Sequence, residues 1–332
     1  MEQNQPNAAN DIQLNANNSI TIERKIWEIF MLKIFVILPT ICQVCGKIGI
    51  NVTGHNTLLN PYVGRCTYNR CRKIYYLRDK TFFSIFPKTN ISTILYIIKL
   101  WISENKNAVQ IYNKIKSESN NIDISIDKIR EILRALRHYI AHYIKDCYYL
   151  EEISTLNAFE HFAVDESDFV KVGGRIFWVI GIINTHTKKL RLELSFERDI
   201  STMKKIIKNH VQTGNIIVAD GWSAYLWLDL PFSGYIHSKH NQEAGDFGQG
   251  YDSTSHIESI WNQLKYNIKS MYTIIPSDNF ILYLKESEFR RNINDLDYNK
   301  KILKLFGVLN YMRDVGIDSL YYIERLNKIT EK

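Results

Sequence analysis

No stretch of this 332-residue chain is apolar for long enough to span a bilayer, and no secretory leader is recognisable at its start. The most apolar early run, Ile34 to Ile41, is too short. It also begins too far in and follows Glu28 and Lys33. An intracellular, reducing location is therefore expected, with no membrane partner. An even set of cysteines is lacking as well: there are five, and four fall between Cys42 and Cys71. In a reducing compartment such clustered cysteines read as thiols or metal ligands, not as a disulfide framework. No internal repeat is present.

What is present is ordinary for a globular protein, with 45% hydrophobic and 23% charged residues and length for two or three domains. The net charge of +7 is unevenly placed. Thr21 to Lys88 holds eleven Lys and Arg against three acids, an excess of eight, so this segment accounts for the whole imbalance. A localised basic surface suits an anionic partner, nucleic acid being the commonest; a merely solvated basic face is the alternative.

Residues 1–20 are rich in Asn and Gln and read as a disordered tail. Thr21 to Leu38 reads as a helix stopped by Pro39. With the cysteine segment and its basic continuation it forms an N-terminal module, 21–88. Over 89–157 apolar residues recur at helical spacing, as in Ile126, Ile129, Ile132, Leu133, Leu136 and Ile140. Asn120-Asn121 divides this region, giving either a helix-turn-helix-like unit or a plain helical linker.

From residue 158 the pattern changes. "HFAVDES" (161–167), "RIFWVIGIINT" (175–185) and "KLRLELSF" (189–196) read as three successive strands. A helix capped by Asp199 or Ser201 follows, then the strand "NIIVAD", a short helix at Trp222 to Leu228, the strand "GYIHSKH" (234–240) and a helix over Thr254 to Ser270. This order predicts a mixed α/β layer around one sheet over 158–297, with 298–332 as a helical extension.

Two strands of that set end on carboxylates: "AVDES" places Asp165, and "IIVADGW" places Asp220, after apolar runs. The helix "SHIESIWNQLK" has Ile257, Ile260, Trp261 and Leu264 as its packing stripe, with Glu258 beside it. If the first and fourth strands are neighbours, their acids meet at one end of the sheet, where the helix can offer Glu258. Three converging carboxylates repel unless cations lie between them, and hard ions such as Mg²⁺ or Mn²⁺ suit all-oxygen ligands. Strand-end carboxylates also often cap a helix or face water, and composition alone does not decide between these readings.

"VDES", "ADGWSAYLWL", His240 and "IESIWNQLK" occur in order over about residues 160–295. They resemble the blocks of DDE transposases of the Merlin group and of the bacterial ISXO-type insertion-sequence family. The resemblance implies a ribonuclease-H-like sheet with flanking helices, preceded by a small zinc-ribbon-like and helical region. It makes Asp165, Asp220 and Glu258 the metal-binding triad, expected to hold two Mg²⁺ or Mn²⁺ ions. The activity implied is phosphodiester hydrolysis at element ends, then strand transfer into target DNA. The implied partners are double-stranded DNA, as terminal inverted repeats and as target, and further copies of the chain on that DNA. The compartment would be the nucleus in a eukaryote or the nucleoid in a bacterium. A silent transposase-derived DNA binder and a nuclease without strand transfer are the rival readings.

Glu166 is expected on the opposite side of its strand, and peripheral. His240 matches the family's intervening His and either orients phosphate or water or is structural. Lys265, two turns beyond Glu258, either touches a DNA phosphate or is solvated. Trp222, Tyr225 and Trp261 read as packing residues. Cys42, Cys45, Cys66 and Cys71 could hold one structural Zn²⁺. Their second pair is spaced Cys-x₄-Cys where the family has Cys-x₂-Cys, so leftover thiols in a decayed ribbon are the alternative. Arg65, Arg70, Arg72 and Lys73 surround that pair, as expected of a module that grips DNA backbone. Cys147 stands apart and reads as buried.

Overall fold

The computed structural model describes residues 38–55, 57, 59–118, 122–147, 159–172, 175–241, 245, 248–271 and 277–314. The expected tail and all but the last residue of the expected first helix lie outside them. The chain divides into two compact units, 1–133 with 309–332, and 134–308.

In the first unit three short strands, β1 (Ile50–Gly54), β2 (Tyr62–Cys66) and β3 (Ile74–Tyr76), pair antiparallel in that order. A helix pair follows, α1 (Ile91–Glu104) and α2 (Ala108–Glu118), and then α3 (Ile126–Cys147), within which the unit boundary falls. The stripe expected on α3 is buried from Ile129 to Ile140. The expected division at Asn120-Asn121 falls outside the described residues, between the end of α2 and the start of α3; a further helix end lies at Asn105, which closes α1 in the left-handed conformation at φ +51°. Asn tolerates that region better than most side chains, yet its role as a helix stop was not anticipated.

Arg78 corrects the charge count. It is 3% exposed, and its guanidinium donates to the carbonyls of Phe83 (3.1 Å), Phe86 (2.8 Å), Thr89 (2.7 Å) and Leu59 (3.4 Å). One of the eleven basic residues is thus a buried brace for the 3₁₀ turn at Phe82–Ile85 and adds nothing to a basic surface. The fork of guanidinium donors matches several carbonyls at once, which a lysine could not do.

The second unit is built on a five-stranded sheet of β4 (His161–Val172), β5 (Arg175–Asn184), β6 (Leu190–Ser195), β7 (Ile216–Asp220) and β8 (Ile236–His240). Spatial order is β6-β5-β4-β7-β8; the first three are antiparallel, and β7 and β8 run parallel to β4. This is the expected ribonuclease-H-like mixed sheet with flanking helices. Both faces are covered, so the strands read as nearly continuous apolar runs. Phe162, Val164, Ile180, Ile182, Ile217 and Ala219 pack under α4 (Ile200–His210) and the 3₁₀ helix Ser223–Asp229. Their strand neighbours Ala163, Val179, Ile183, Leu192 and Val218 pack under α5 (Ser255–Met271) and α6 (Ser277–Asn292). Asp199 caps α4 as expected, accepting from Thr202 N–H at 2.9 Å. A β9–β10 hairpin (Gly248–Gln249, Asp252–Ser253) precedes α5, and α7 (Tyr298–Asp314) follows α6. No helix among the described residues is long and apolar enough to cross a membrane.

Helix α6 is held to β6 by buried charge. Arg191 and Glu288 pair at 2.7 Å with 1% and 0% of their side chains exposed, and Lys285 adds a second donor to Glu288 at 3.0 Å. Asn292 clasps Leu190 on both backbone groups, at 2.7 and 2.9 Å. Losing one partner of such a pair strands a buried charge, at a cost of about 3–5 kcal/mol.

Helix α5 lies close on β5 because Gly181 leaves room for it. A Cβ there would fall 2.6 Å from both Ile257 Cδ1 and Trp261 Cη2. Gly181→Ala is therefore expected to destabilise the protein by about 1–3 kcal/mol, read from urea unfolding midpoints, by pushing α5 off the sheet. An unchanged midpoint would mean that the helix is free to shift.

Candidate active site

Asp165 and Asp220 come together through strand register. β4 and β7 pair in parallel at Phe162↔Ile217 and Ala163↔Val218, so each acid lies two residues past the last of these pairs, on the same face. Asp220 in turn pairs with His240 on β8. The three polar residues line up across adjacent strands on the face covered by α5. Asp220 ends its strand by accepting Trp222 N–H at 2.9 Å, a local turn that uses the carboxylate as its closing group. This explains the sequence Asp-Gly-Trp.

Glu258 lies in the first turn of α5 and accepts from the Thr254 hydroxyl at 3.3 Å. One turn later on the same face, Trp261 donates its indole N–H to Asp165 at 2.7 Å. The carboxylates nevertheless do not close into a trio. Among the described residues, the one group of three or more ligating side chains near enough to share an ion is the cysteine quartet.

The negative charge is only partly compensated. Burial pushes the Asp165 carboxyl up to about 7 against the pull of the Trp261 N–H, with the charges of Glu166 and Asp220 adding to the rise. Burial also raises Glu166, against the Tyr225 hydroxyl, which donates to it at 2.9 Å. Arg198 is the cation on this cluster, 3.3 Å from Glu166 and stacked 4.0 Å from the Trp178 ring centre and 4.8 Å from that of Trp222. Glu166 does face the other side of β4, but it is not peripheral: its charge is felt at Asp165, and its partners come from the opposite core. An all-oxygen donor set short of positive charge is chemically suited to Mg²⁺ or Mn²⁺.

Trp261 and Tyr225 are packing residues that also hold an acid through their single polar atom. The available signal was that a buried Tyr hydroxyl or Trp N–H usually finds a partner. His240 is buried, with Nε2 3.3 Å from both the Ser238 hydroxyl and Asp252. Lys265 is 3.7 Å from Asp168 and lies 5.4 Å from the Phe169 ring centre.

The cysteines form the second site. Cys42–Cys71 and Cys45–Cys66 sulfurs are each 3.7 Å apart, and all four lie within 4.8 Å of one another. A tetrahedron with Zn–S near 2.3 Å has edges of about 3.8 Å, so the quartet is compatible with zinc. The longer Cys-x₄-Cys spacing is absorbed by a turn in which Cys71 N–H and Arg72 N–H both reach Tyr68 O, with Arg72 at φ +46°. The Tyr75 hydroxyl donates to Cys42 at 3.1 Å and lowers that thiol to about 6, favouring a thiolate there, whereas Cys66 and Cys71, each against a backbone hydrogen bond that lowers it, are raised by burial and the neighbouring sulfurs, Cys66 to about 12. Arg70, Arg72 and Lys73 are exposed beside this turn and Arg65 is half-buried on β2. The side chain of Cys147 lies outside the described residues.

Residues 170–292 match the ISXO2-like transposase domain family. The match includes Asp220, His240, Glu258 and Lys265 and begins just after Asp165. A transposase-like protein of Haemophilus influenzae is 28% identical over 104 residues, 31% of this chain and 81% of that one. The insertion-sequence resemblance read from the motifs is thereby supported, and with it a transposase-type function. Partial likenesses in solved structures include a simian T-cell lymphotropic virus intasome bound to a PP2A regulatory subunit (14% identity, 60% of this chain and 69% of that one, TM-score 0.31). Another is the HTLV-2 integrase catalytic core with magnesium (15% identity, 43% and 89%, TM-score 0.29).

A carboxyl raised from 3.8 to about 7 binds its proton more tightly in the native state. Its stabilising contribution is full below about pH 4 and is lost as pH rises through 7, a difference on the order of a few kcal/mol. In chelator, the melting temperature of the parent should therefore fall relative to Asp165→Asn between pH 4.5 and 7.5. A constant difference across that range would contradict the burial account.

Proposed function

We propose that the protein is a DNA transposase that hydrolyses a phosphodiester at each element end and transfers the freed 3′-hydroxyl to target DNA. The alignment of Asp165, Asp220 and His240 across three strands, under the helix that carries Glu258, is the observation that carries this reading. The ISXO2-like match supports it. Asp165, Asp220 and Glu258 would hold two Mg²⁺ or Mn²⁺ ions, which when bound supply Lewis-acid activation of the attacking oxygen and stabilisation of the leaving one.

The chain's own groups prepare that chemistry. Trp222 N–H and the Trp261 indole fix one oxygen each of Asp220 and Asp165, leaving the other oxygen of each for ligation. Lys265 is placed to leave Asp168 for a DNA phosphate. His240, tethered by Ser238 and Asp252, orients a phosphate or water beside Asp220. The cysteine quartet holds structural zinc, and Arg65, Arg70, Arg72 and Lys73 grip the backbone of the terminal inverted repeats. Each element end needs one active site, so a homo-oligomer assembles on the DNA, in the nucleoid or the nucleus according to host.

A second reading, a transposase-derived DNA binder that no longer cuts, is favoured by one observation: among the described residues, Asp165, Asp220 and Glu258 do not form a group near enough to share an ion. Labelled element ends with Mn²⁺ separate the two, because the silent binder retains the DNA and leaves it whole. Joining of a supplied 3′-end into a plasmid separates a transposase from a simple nuclease.

Asp220→Asn should reduce cleavage to background while element-end affinity stays within about twofold of the parent; surviving cleavage would remove Asp220 from the site. Elemental analysis should find one zinc per chain, and Cys71→Ser should lose it together with at least tenfold in DNA affinity. A metal-free parent with full affinity would leave the quartet as plain thiols.

A further inference from the structure

A second cluster of functional groups lies at the start of α5, around His256 in the same first turn as Glu258. The loop from β5 to β6 is a tight turn closed by Asn184, whose side chain accepts the N–H groups of His186 (2.9 Å) and Thr187 (3.0 Å). Its backbone carbonyl takes Lys188 N–H at 2.8 Å. Lys188 thereby stands in the left-handed region at φ +60°, where a glycine or asparagine costs less. Its ammonium donates to His256 Nδ1 at 3.5 Å, because His256 Nε2 is already committed to Gly250 O at 2.7 Å. It also lies 5.8 Å from the ring centre of Tyr251, which stacks on His186 at 3.9 Å; both rings are exposed.

Among the described residues, no carboxylate pairs with Lys188. Burial lowers the lysine from its ordinary value, and the charge of Arg291, near the end of α6, adds to the fall. Arg291 gives NH1 to Gln263 at 3.0 Å, and its buried Nε has no partner. Asp295 is the acid that acts on Arg291, without an ion pair, and Asp252 is turned to His240. Lys189 is spent on the Asn292 carbonyl. The bond of Lys189 to the Asn292 carbonyl brings the flanking Lys188 and Arg291 to one side of this unit; among the described residues neither is ion-paired to an acid, and such cations call for an anion.

We propose that Lys188 and Arg291, with Lys188 steadied by His256, form a binding site for a backbone phosphodiester of a DNA strand. The stacked Tyr251 and His186 rings lie alongside it, as sugar- and base-facing surface. The site shares α5 with the acids. His256 precedes Trp261 by five residues, about 7.5 Å of helix, or about two nucleotides of rise at about 3.4 Å each. The strand held here would be the one delivered to Asp165 and Asp220, so its identity as substrate rests on the proposed function; its binding does not.

The full chain is tested in chelator against a 20-base-pair duplex, at several salt concentrations. Lys188→Gln and Arg291→Gln should each weaken binding about tenfold, and together they should lower the slope of log affinity against log salt by about one. Lys300→Gln, an exposed lysine paired with Asp297, should change neither. Independently of any variant, saturating duplex should shield Lys188 of the parent from acetylation, read by mass spectrometry, while millimolar inorganic phosphate shields it less. The inference is overturned if the slope and affinity stay at parental values, if the parent binds no duplex, or if Lys188 is acetylated equally with and without DNA. It is also overturned if inorganic phosphate protects as fully as duplex. Cleavage of element ends in Mn²⁺ reports separately: a parent that binds duplex through Lys188 and never cuts retires the transposase reading and leaves this site standing.

Discussion

The contact on which the second unit depends is the indole N–H of Trp261 on the carboxylate of Asp165. It joins the central strand to the helix that covers it, and it exists because Gly181 lets α5 approach within a side chain's thickness of β5. The same helix carries Glu258 one turn before Trp261 and His256 five residues before it. One close packing thus fixes where a third acid and a steadied lysine can stand. The contact has an opposing side. Asp165 keeps a strongly raised proton affinity because burial and the charges of Glu166 and Asp220 outweigh one donated hydrogen bond.

Much of this was legible in the chain. The five strands, the Asp199 cap and the α5 stripe follow from periodicity and punctuation. The adjacency of β4 and β7, posed only as a condition, places Asp165 beside Asp220. What was not legible depends on three-dimensional neighbours. Arg78 looked like surface charge and is a buried brace on four carbonyls. Glu166 was assigned correctly to the opposite face, but its influence on Asp165 passes through the strand, which no pattern in one dimension reports. The cation pair of Lys188 and Arg291 joins residues a hundred positions apart, on a turn and a helix end that carry no motif.

The two clusters divide the labour by charge. The acids gather at the strand ends under α5, short of positive charge; the cations gather near its first residues, short of negative charge. Each is poorly satisfied in isolation, and a metal-bearing nucleic-acid strand would satisfy both. The cysteine quartet is the contrasting case, four sulfurs within 4.8 Å of one another, compatible with one tetrahedral ion.

The central claim is that Asp165, Asp220 and Glu258 close around shared cations. Crystals grown with Mn²⁺ and measured for anomalous scattering test it most directly. The account predicts manganese peaks with oxygens of all three acids at ligand distance and α5 still anchored by Trp261. Manganese bound elsewhere, with no oxygen of Glu258 among its ligands, would contradict it.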